Sequence, residues 1–349
     1  MREFKRQRNE FLDVVKYFLI FLVIWGHVVQ QSCFLDNPNV DYVYRTIYTV
    51  HMPLFMGICG YFFANSIKKE GSIKRYVSHK LGNRIKSLLL PMCFFGLLKS
   101  LLLWDFSILS YFRNVHDIWF LGDLLINSLL VLAALHWKQC RKSWLGFLIA
   151  GVLSCLPVIG YAGQGLFMYI FFTTGFFISY SKISLPERKS KLVIIATIIY
   201  MVAFFSFDHM PYAPDSFTIN YHKHSIFELI HIDILKLILG FSGSVVILIT
   251  GRALFPYIEK TWLVRRAVTE GRYTLDIYLL NIIILEMIAS SIYRGMVNYY
   301  GMNPLHSYGV MDEIILTFIS AVFMMELIIL CSRILNGNKV LAKIFFYRK

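Results

Sequence analysis

The sequence predicts an all-α integral membrane protein in which about ten transmembrane helices form a bundle around a central polar cavity. Of its 349 residues, 57% are hydrophobic and only 16% are charged, which is too little charge to cover a soluble globule of this size. Apolar runs of roughly 20 residues, the length that crosses the hydrocarbon core, recur along the chain. Basic residues collect in the short segments between these runs, as is typical of membrane proteins.

Ten apolar segments satisfy the length rule. They fall at about 12–31, 47–66, 87–104, 118–137, 144–161, 165–181, 192–209, 230–251, 273–293 and 312–333. The fifth and sixth segments are separated only by Ala162, Gly163 and Gln164. A pair of re-entrant segments, in place of two full spans, is therefore an alternative for this region. The segments leave no room for a further soluble domain, and residues 1–349 are predicted to form a single membrane-embedded domain.

The charge distribution predicts the orientation. The net charge of +14 would suggest nucleic-acid binding in a soluble protein, but here the basic residues fall mainly in loops on one side of the membrane, as cytoplasmic loops do. With ten spans, both termini are then cytoplasmic, and the protein lies in the inner membrane with no nucleic-acid partner. The six cysteines form no Cys-x-x-Cys pair, so packing is favoured for them and no metal site is predicted.

Three ionisable residues lie on the first predicted helix, where charge is costly unless it faces water or the bundle interior. The eleven steps from Lys16 to His27 total 1100° in an α-helix, which leaves the two residues about 20° apart on one face and roughly 16 Å apart along the axis. Asp13 falls within about 40° of the same line. The alternatives are a Lys16 that snorkels beside Asp13 and a His27 that is a buried histidine hydrogen-bonded to a neighbouring helix.

The second predicted helix opens with a histidine. The segment His51-Met52-Pro53-Leu54-Phe55 places His51 at a membrane depth similar to that of His27. Pro53 is acceptable in the first turn of a helix. A purely structural role for this segment is also credible.

These motifs together resemble a known family. They are Lys16 and His27 with ten residues between them, His-Met-Pro-Leu-Phe leading to Gly-Tyr-Phe, a basic loop that ends in residues 83–91, Trp119-Phe120-Leu121, and residues 271–280 at the start of the ninth span. The chain resembles the acyltransferase-3 family of membrane acyltransferases, particularly its sugar O-acetylase branch. The sequence departs from the family pattern at Asn281, Cys59 and Ser87, where histidine, serine and arginine are common.

The resemblance implies an O-acetyltransferase. It would move an acetyl group from cytoplasmic acetyl-CoA, the co-substrate, to a hydroxyl of a cell-envelope glycan, exopolysaccharide or glycolipid sugar at the outer face. Because neutral imidazole accepts protons at ordinary pH, His27 is predicted to be the general base. His51 would orient it, bind the acceptor or stabilise the oxyanion, and a covalent acyl-histidine is the alternative.

The phosphates of coenzyme A need a cationic site. A basic surface made of Lys16, Lys80, Arg84 and Lys86 is predicted to bind them through charge-assisted hydrogen bonds, although topology-setting charge explains the last three residues equally well. The pantetheine arm would then extend from Lys16 towards His27.

Four residues are weaker candidates for supporting the site or binding the acceptor. They are Asp13, Trp119, Asp123 and Glu286, for each of which a structural role is the alternative. A transporter or flippase is the competing function, because helices with a polar track also describe a permeation pathway, but no inverted repeat is evident. Membrane lipid, acetyl-CoA and a glycan acceptor are the predicted partners, and a homodimer is compatible with the sequence.

Overall fold

A computed structural model of the chain describes residues 9–32, 42–137, 162–183, 190–206, 226–289 and 310–347, together with 291, 292 and 295. Within these residues the secondary structure is helical throughout and no strand occurs, which confirms the all-α prediction. The α-helices are α1 (Glu10–Ser32), α2 (Tyr42–Glu70), α3 (Ile73–Tyr76), α4 (Gly82–Leu102), α5 (Ile108–His116), α6 (Trp119–Trp137), α7 (Ala162–Tyr180), α8 (Ser190–Phe205), α9 (Ile226–Ile258), α10 (Trp262–Glu270), α11 (Thr274–Asn281), α12 (Val310–Gly337) and α13 (Lys339–Phe346). Two π-helical segments, π1 (Val77–Leu81) and π2 (Ile282–Ala289), continue α3 and α11.

Six helical stretches of the described residues are long and apolar enough to cross a membrane. They are Glu10–Gln30, Tyr42–Glu70, Ile73–Leu102, Trp119–His136, His231–Ile258 and Ile314–Gly337. The predicted spans 165–181 and 192–209 coincide with shorter apolar helices, and the span 273–293 is divided between α11 and π2. The span 144–161 lies outside the described residues. The chain is therefore a multi-pass helical membrane protein, and the count of ten stays a prediction.

Two predicted boundaries differ from the structure. Residues 162–164, expected to separate two spans, form the first turn of α7. The second helix begins at Tyr42, nine positions before His51, so Pro53 lies inside α2 and not in its first turn. The longer helix carries His51 about 13 Å away from its first residue and into the bundle.

Helices α2 and α7 form the most extensive helix pair. Their backbones approach closely because glycines lie at the contact: a Cβ on Gly175 would overlap the carbonyl of Gly57, and a Cβ on Gly60 would overlap the carbonyl of Phe172. Small residues at helix crossings are the usual way in which membrane helices approach each other. Gly57, Gly60 and Gly175 therefore allow the close approach of α2 and α7.

Helix α1 and the α11–π2 unit run side by side in the same direction. At one end, the backbone of Gly271 packs against the carbonyl of Asp13 so closely that a Cβ would overlap it. At the other end, His27 lies beside Glu286. Because His27 follows Asp13 by 14 positions and Glu286 follows Gly271 by 15, the two elements stay in register along their length.

The helices around α1 make a closed circuit of contacts. Helix α1 packs on α2, α2 on α7, α7 on α6, and α6 on α4. The circuit returns through α13, which packs on both α4 and α12, and through α12, which packs on α1. Phe345 of α13 contacts Phe94 of α4 with ring centroids 4.9 Å apart, while Phe346 is buried against Phe95.

Candidate active site

A cavity of about 210 Å³ lies between α1, α2, α4, α6 and α11. Its wall is mostly apolar and contains two cationic side chains, a cysteine, a threonine and a tyrosine. The lining residues are Lys16, Ile20, Val23, Met52, Phe55, Cys59, Phe62, Arg84, Leu88, Phe120, Leu124, Thr274, Leu275 and Tyr278. The central cavity, which the sequence predicted to be polar, is thus mostly apolar. Its charge is concentrated at the end formed by Lys16 and Arg84, called here the basic end.

The face of the first helix that was predicted to carry Lys16 and His27 forms one wall of this cavity. Helix α1 is uninterrupted from Glu10 to Ser32, and Lys16, Ile20 and Val23 all line the cavity. His27 follows Val23 by one helical turn on the same face, about 6 Å further along the axis. The cavity therefore leads from Lys16 towards His27.

Lys16 is held by a carboxylate. Its Nζ lies 2.9 Å from Oδ1 of Asp13, whose side chain is 2% exposed, and 5.2 Å from the centroid of the Phe62 ring. The ion pair that the snorkelling alternative requires is present, yet the same ammonium group also faces the cavity. Asp13 thus sets the position and partly neutralises the charge of Lys16.

Arg84 is the second cation of the cavity. Its Nε and Nη2 donate to the hydroxyl of Ser128 at 3.1 and 2.8 Å, and the guanidinium lies 4.6 Å from the centroid of the Phe63 ring. Within the described part of the chain, Arg84 forms no ion pair. Its positive charge is therefore available to an anionic group that enters the basic end.

The structure separates the other two predicted cations from the cavity. Lys80 has a 54% exposed side chain and lies 3.8 Å from Oε1 of Glu70. Lys86 is also exposed, and neither residue lines the cavity. Of the four predicted donor-binding residues, the fold brings together Lys16 and Arg84 only.

His27 and Glu286 form a polar contact outside the cavity lining, one helical turn beyond Val23. Nε2 of His27 lies 3.4 Å from Oε1 of Glu286. Because a carboxylate accepts hydrogen bonds, the neutral ring is held with its proton on Nε2 and its lone pair on Nδ1. Nδ1 is buried and has no hydrogen-bond partner among the described residues, so it is placed to accept a proton.

Glu286 has a second polar neighbour. Nδ2 of Asn281 donates to the same Oε1 atom at 3.4 Å. Asn281 is fully buried, whereas the Glu286 side chain is 28% exposed. The carboxylate thus bridges the ring of His27 and the amide of Asn281.

His51 is buried next to this pair. Its Nδ1 lies 2.6 Å from the carbonyl oxygen of Ile47, and since a carbonyl only accepts, Nδ1 carries a proton and Nε2 holds the lone pair of the neutral ring. The Tyr48 ring packs edge-on against it at 4.9 Å, and Tyr48 in turn contacts Gly26 of α1, where a Cβ would lie 2.8 Å from Tyr48 Cε2. Gly26 therefore allows the two histidine-bearing helices to approach.

The remaining predicted residues lie around Tyr278. Asp123 and Glu286 both interact electrostatically with this tyrosine, which lines the cavity and packs on Phe120 with ring centroids 5.5 Å apart. Trp119 is half-buried beside Phe120. Phe120 lines the cavity, whereas Trp119 does not.

Sequence reasoning missed several residues of the site. Thr274, Leu275 and Tyr278 line the cavity, and their spacing of one and three positions on a helix is the signal that would have identified them within the 271–280 motif. Asn281 was noted only as a departure from a family pattern. Its contact with Glu286 could not be predicted on the assumption of a regular α-helix, in which residues five positions apart lie on different faces.

Comparisons with known proteins identify one family and two related sequences. A family model described as an acyltransferase domain matches residues 9–333. The nodulation protein NolL of Sinorhizobium fredii is 31% identical over 187 residues, which cover 48% of each chain. NolL of Mesorhizobium japonicum is 36% identical over 89 residues, covering 25% of this chain and 22% of that protein. The alignment thus spans about half the length of the first of these relatives and less of the second, and no solved structure matches the chain.

Proposed function

This chain belongs to the acyltransferase family whose model spans residues 9–333, and from this premise we propose that it is a membrane O-acetyltransferase. The donor is acetyl-CoA on the cytoplasmic side, and the acceptor is a hydroxyl of a cell-envelope glycan, exopolysaccharide or glycolipid sugar at the outer face. The observation that carries the proposal is the arrangement of two cations at one end of the cavity and a His27–Glu286 pair beyond its other end.

His27 acts as the general base in this proposal. Its Nδ1 takes the proton of the acceptor hydroxyl, the hydroxyl oxygen attacks the carbonyl carbon of the thioester, and the carbon–sulfur bond breaks to release coenzyme A as the thiolate. The proton held on His27 then passes to that thiolate. Glu286 keeps the ring in the required tautomer and stabilises the imidazolium that forms, as the carboxylate does in histidine-based acyl transfer generally.

His51 has the role of binding the acceptor. Its neutral Nε2 is a hydrogen-bond acceptor because Nδ1 donates to the Ile47 carbonyl, so it suits a hydroxyl group better than an oxyanion. Orientation of His27, which the sequence suggested for His51, fits Glu286, whose carboxylate makes the direct contact.

The donor site lies at the basic end. Arg84 and Lys16 face a chamber whose other walls are apolar, which suits a ligand with an anionic head and a slender arm. Phosphate oxygens of coenzyme A would accept hydrogen bonds from these two cations, while the pantetheine arm extends along Ile20 and Val23 towards His27.

The test uses the full-length protein in lipid nanodiscs with acetyl-CoA that carries a labelled acetyl group and isolated envelope glycans. Label is expected in the glycan with the wild type, and His27→Gln is expected to reduce transfer by about 10²-fold or more. His136→Ala, an exposed histidine at the end of α6, is the control and should transfer normally. Undiminished transfer by His27→Gln would remove the base assignment, and no transfer by the wild type would remove the proposed function.

Donor binding is tested separately through the Michaelis constant for acetyl-CoA. Arg84→Gln is expected to raise this constant about 10-fold, since a charge-assisted hydrogen bond is lost, while kcat changes little. Lys80→Gln and Lys86→Gln are the matched comparisons because both cations lie outside the cavity. Equal increases in all three variants would indicate a diffuse surface effect and contradict the assigned donor site.

A further inference from the structure

The contact between Asn281 and Glu286 depends on an interruption of the helix. Asn281 is the last residue of α11, and the π-helical segment π2 begins at the next residue. In a continuous α-helix, five steps of 100° would place residues 281 and 286 about 140° apart on the helix surface. A π-helix hydrogen-bonds residues five apart, so it stacks residue 286 near residue 281. The local winding therefore creates this contact.

The burial of Asn281 is costly for packing alone. The residue is fully buried, and its Oδ1 has no hydrogen-bond partner among the residues that the structure describes. A buried amide with an unsatisfied oxygen is less favourable than an apolar side chain of similar volume. Since the Nδ2 group contacts the carboxylate that holds His27, stabilisation of the fold does not account for the amide.

We propose that Asn281 is a positioning residue of the acyl-transfer site, which uses the π2 winding to hold the Glu286 carboxylate against His27. The inference rests on the proposed function. Asn281 does not touch the reacting atoms; its N–H group fixes the rotamer of Glu286, and Glu286 fixes the tautomer of His27. The amide can serve this role because it donates a hydrogen bond without adding a charge next to the carboxylate.

Other ionisable groups lie near this chain of contacts. His51 on α2 interacts electrostatically with His27, and Tyr278 on α11 interacts with Glu286 and Asp123. The amide of Asn281 reaches Oε1 of Glu286 from within the same α11–π2 unit. Removal of the amide N–H should therefore weaken the hold on the Glu286 rotamer.

The experiment measures labelled acetyl transfer by the full-length protein in nanodiscs for three substitutions. Asn281→Leu removes the donor, Asn281→Asp keeps the shape but replaces the donor with a charged acceptor, and Asn281→His restores an N–H donor. We expect kcat to fall on the order of 10-fold for Leu, the effect of one hydrogen bond to a charged group, and further for Asp. The His variant should recover most of the activity, with Michaelis constants for both substrates unchanged throughout.

The matched control is Asn127→Leu. Asn127 is equally buried, on α6, and both of its amide atoms lack partners among the described residues, so the substitution alters packing in the same way without a contact to Glu286. Normal kcat is expected for this variant, and the melting temperature of Asn281→Leu should not fall below that of the wild type.

A double-mutant cycle decides whether Asn281 acts through Glu286. In the Glu286→Gln background, Asn281→Leu should cause no further loss of kcat, because the group that it positions is already gone. Additive losses, an equal loss in Asn127→Leu, or wild-type kcat in Asn281→Leu would each overturn the inference. Failure of the proposed function is a separate result, since the wild type itself would then transfer no label.

Discussion

Nε2 of His27 and Oε1 of Glu286 lie 3.4 Å apart across the interface between α1 and π2. The contact joins a residue of the first described helix to one far along the chain, and it fixes which nitrogen of the ring is free. An imidazole with one nitrogen bound to a carboxylate and the other unpaired is suited to proton transfer. The catalytic predictions depend on this pair.

Loss of the Glu286 charge is expected to reduce kcat by about 100-fold in Glu286→Gln, because the glutamine amide can donate to the ring and reverse the tautomer of His27. Steady-state transfer of labelled acetyl measures the change. Glu259→Gln, an exposed glutamate after α9, serves as control. Activity within about 2-fold of the wild type in Glu286→Gln would be incompatible with the tautomer role.

Asp13→Asn is expected to strengthen donor binding. The ion pair between Lys16 and Asp13 competes with any anionic ligand of Lys16, so its removal should lower the Michaelis constant for acetyl-CoA by about 3- to 5-fold, the effect of a modest ion pair. The double variant Asp13→Asn/Lys16→Met should lose this gain. If Asp13→Asn only destabilises the protein and leaves the constant unchanged, Lys16 is a structural cation.

The rate at which Cys59 is alkylated should show whether a ligand occupies the cavity. It lines the cavity, whereas Cys93 and Cys331 are half-buried elsewhere. A non-hydrolysable acetyl-CoA analogue well above its Kd should slow alkylation of Cys59 by about 10-fold or more, by mass action, and leave Cys93 and Cys331 unaffected. Peptide mass spectrometry separates the three sites. Equal protection at all three would point to a global effect on the protein and not to cavity binding.

Gly175→Ala should destabilise the bundle. The added Cβ would overlap the backbone carbonyl of Gly57, and overpacking of a tight contact costs about 1–3 kcal/mol. Gly122→Ala is the matched control, because the nearest atom to its new Cβ, Sδ of Met92, is 4.0 Å away. Thermal unfolding in detergent should show a lower apparent melting temperature for Gly175→Ala only, and identical values would exclude a tight α2–α7 contact.

The arrangement of polar residues on the first helix could be predicted from the sequence because α1 has the same α-helical winding along its whole length. The common face of Lys16 and His27 follows from residue spacing, and α1 is unbroken in the structure. The positions of Lys80 and Lys86 could not be inferred in this way, since π1 changes the winding just before α4 and charge alone does not say which cations turn inward.

The second half of the site depended on contacts between distant segments. Glu286 was predicted only as a weaker candidate for supporting the site, because its contact with His27 is set by the register of α1 with α11–π2. Asn281 was less predictable still, because an apolar run such as Ile282-Ile283-Ile284-Leu285 carries no signal that distinguishes π from α winding. The close contact of Gly271 with Asp13 likewise appears only in three dimensions.

The place of α13 in the bundle has a consequence for biosynthesis. Every other helix of the closed circuit precedes α13 in the chain, and α13 packs on α12 and contacts α4 through Phe345 and Phe346. While the earlier helices leave the ribosome and enter the membrane, the seam between α4 and α12 therefore has no α13 to cover it. Phe94 and Phe95 therefore gain their ring contacts with α13 only after every other helix of the circuit has been made.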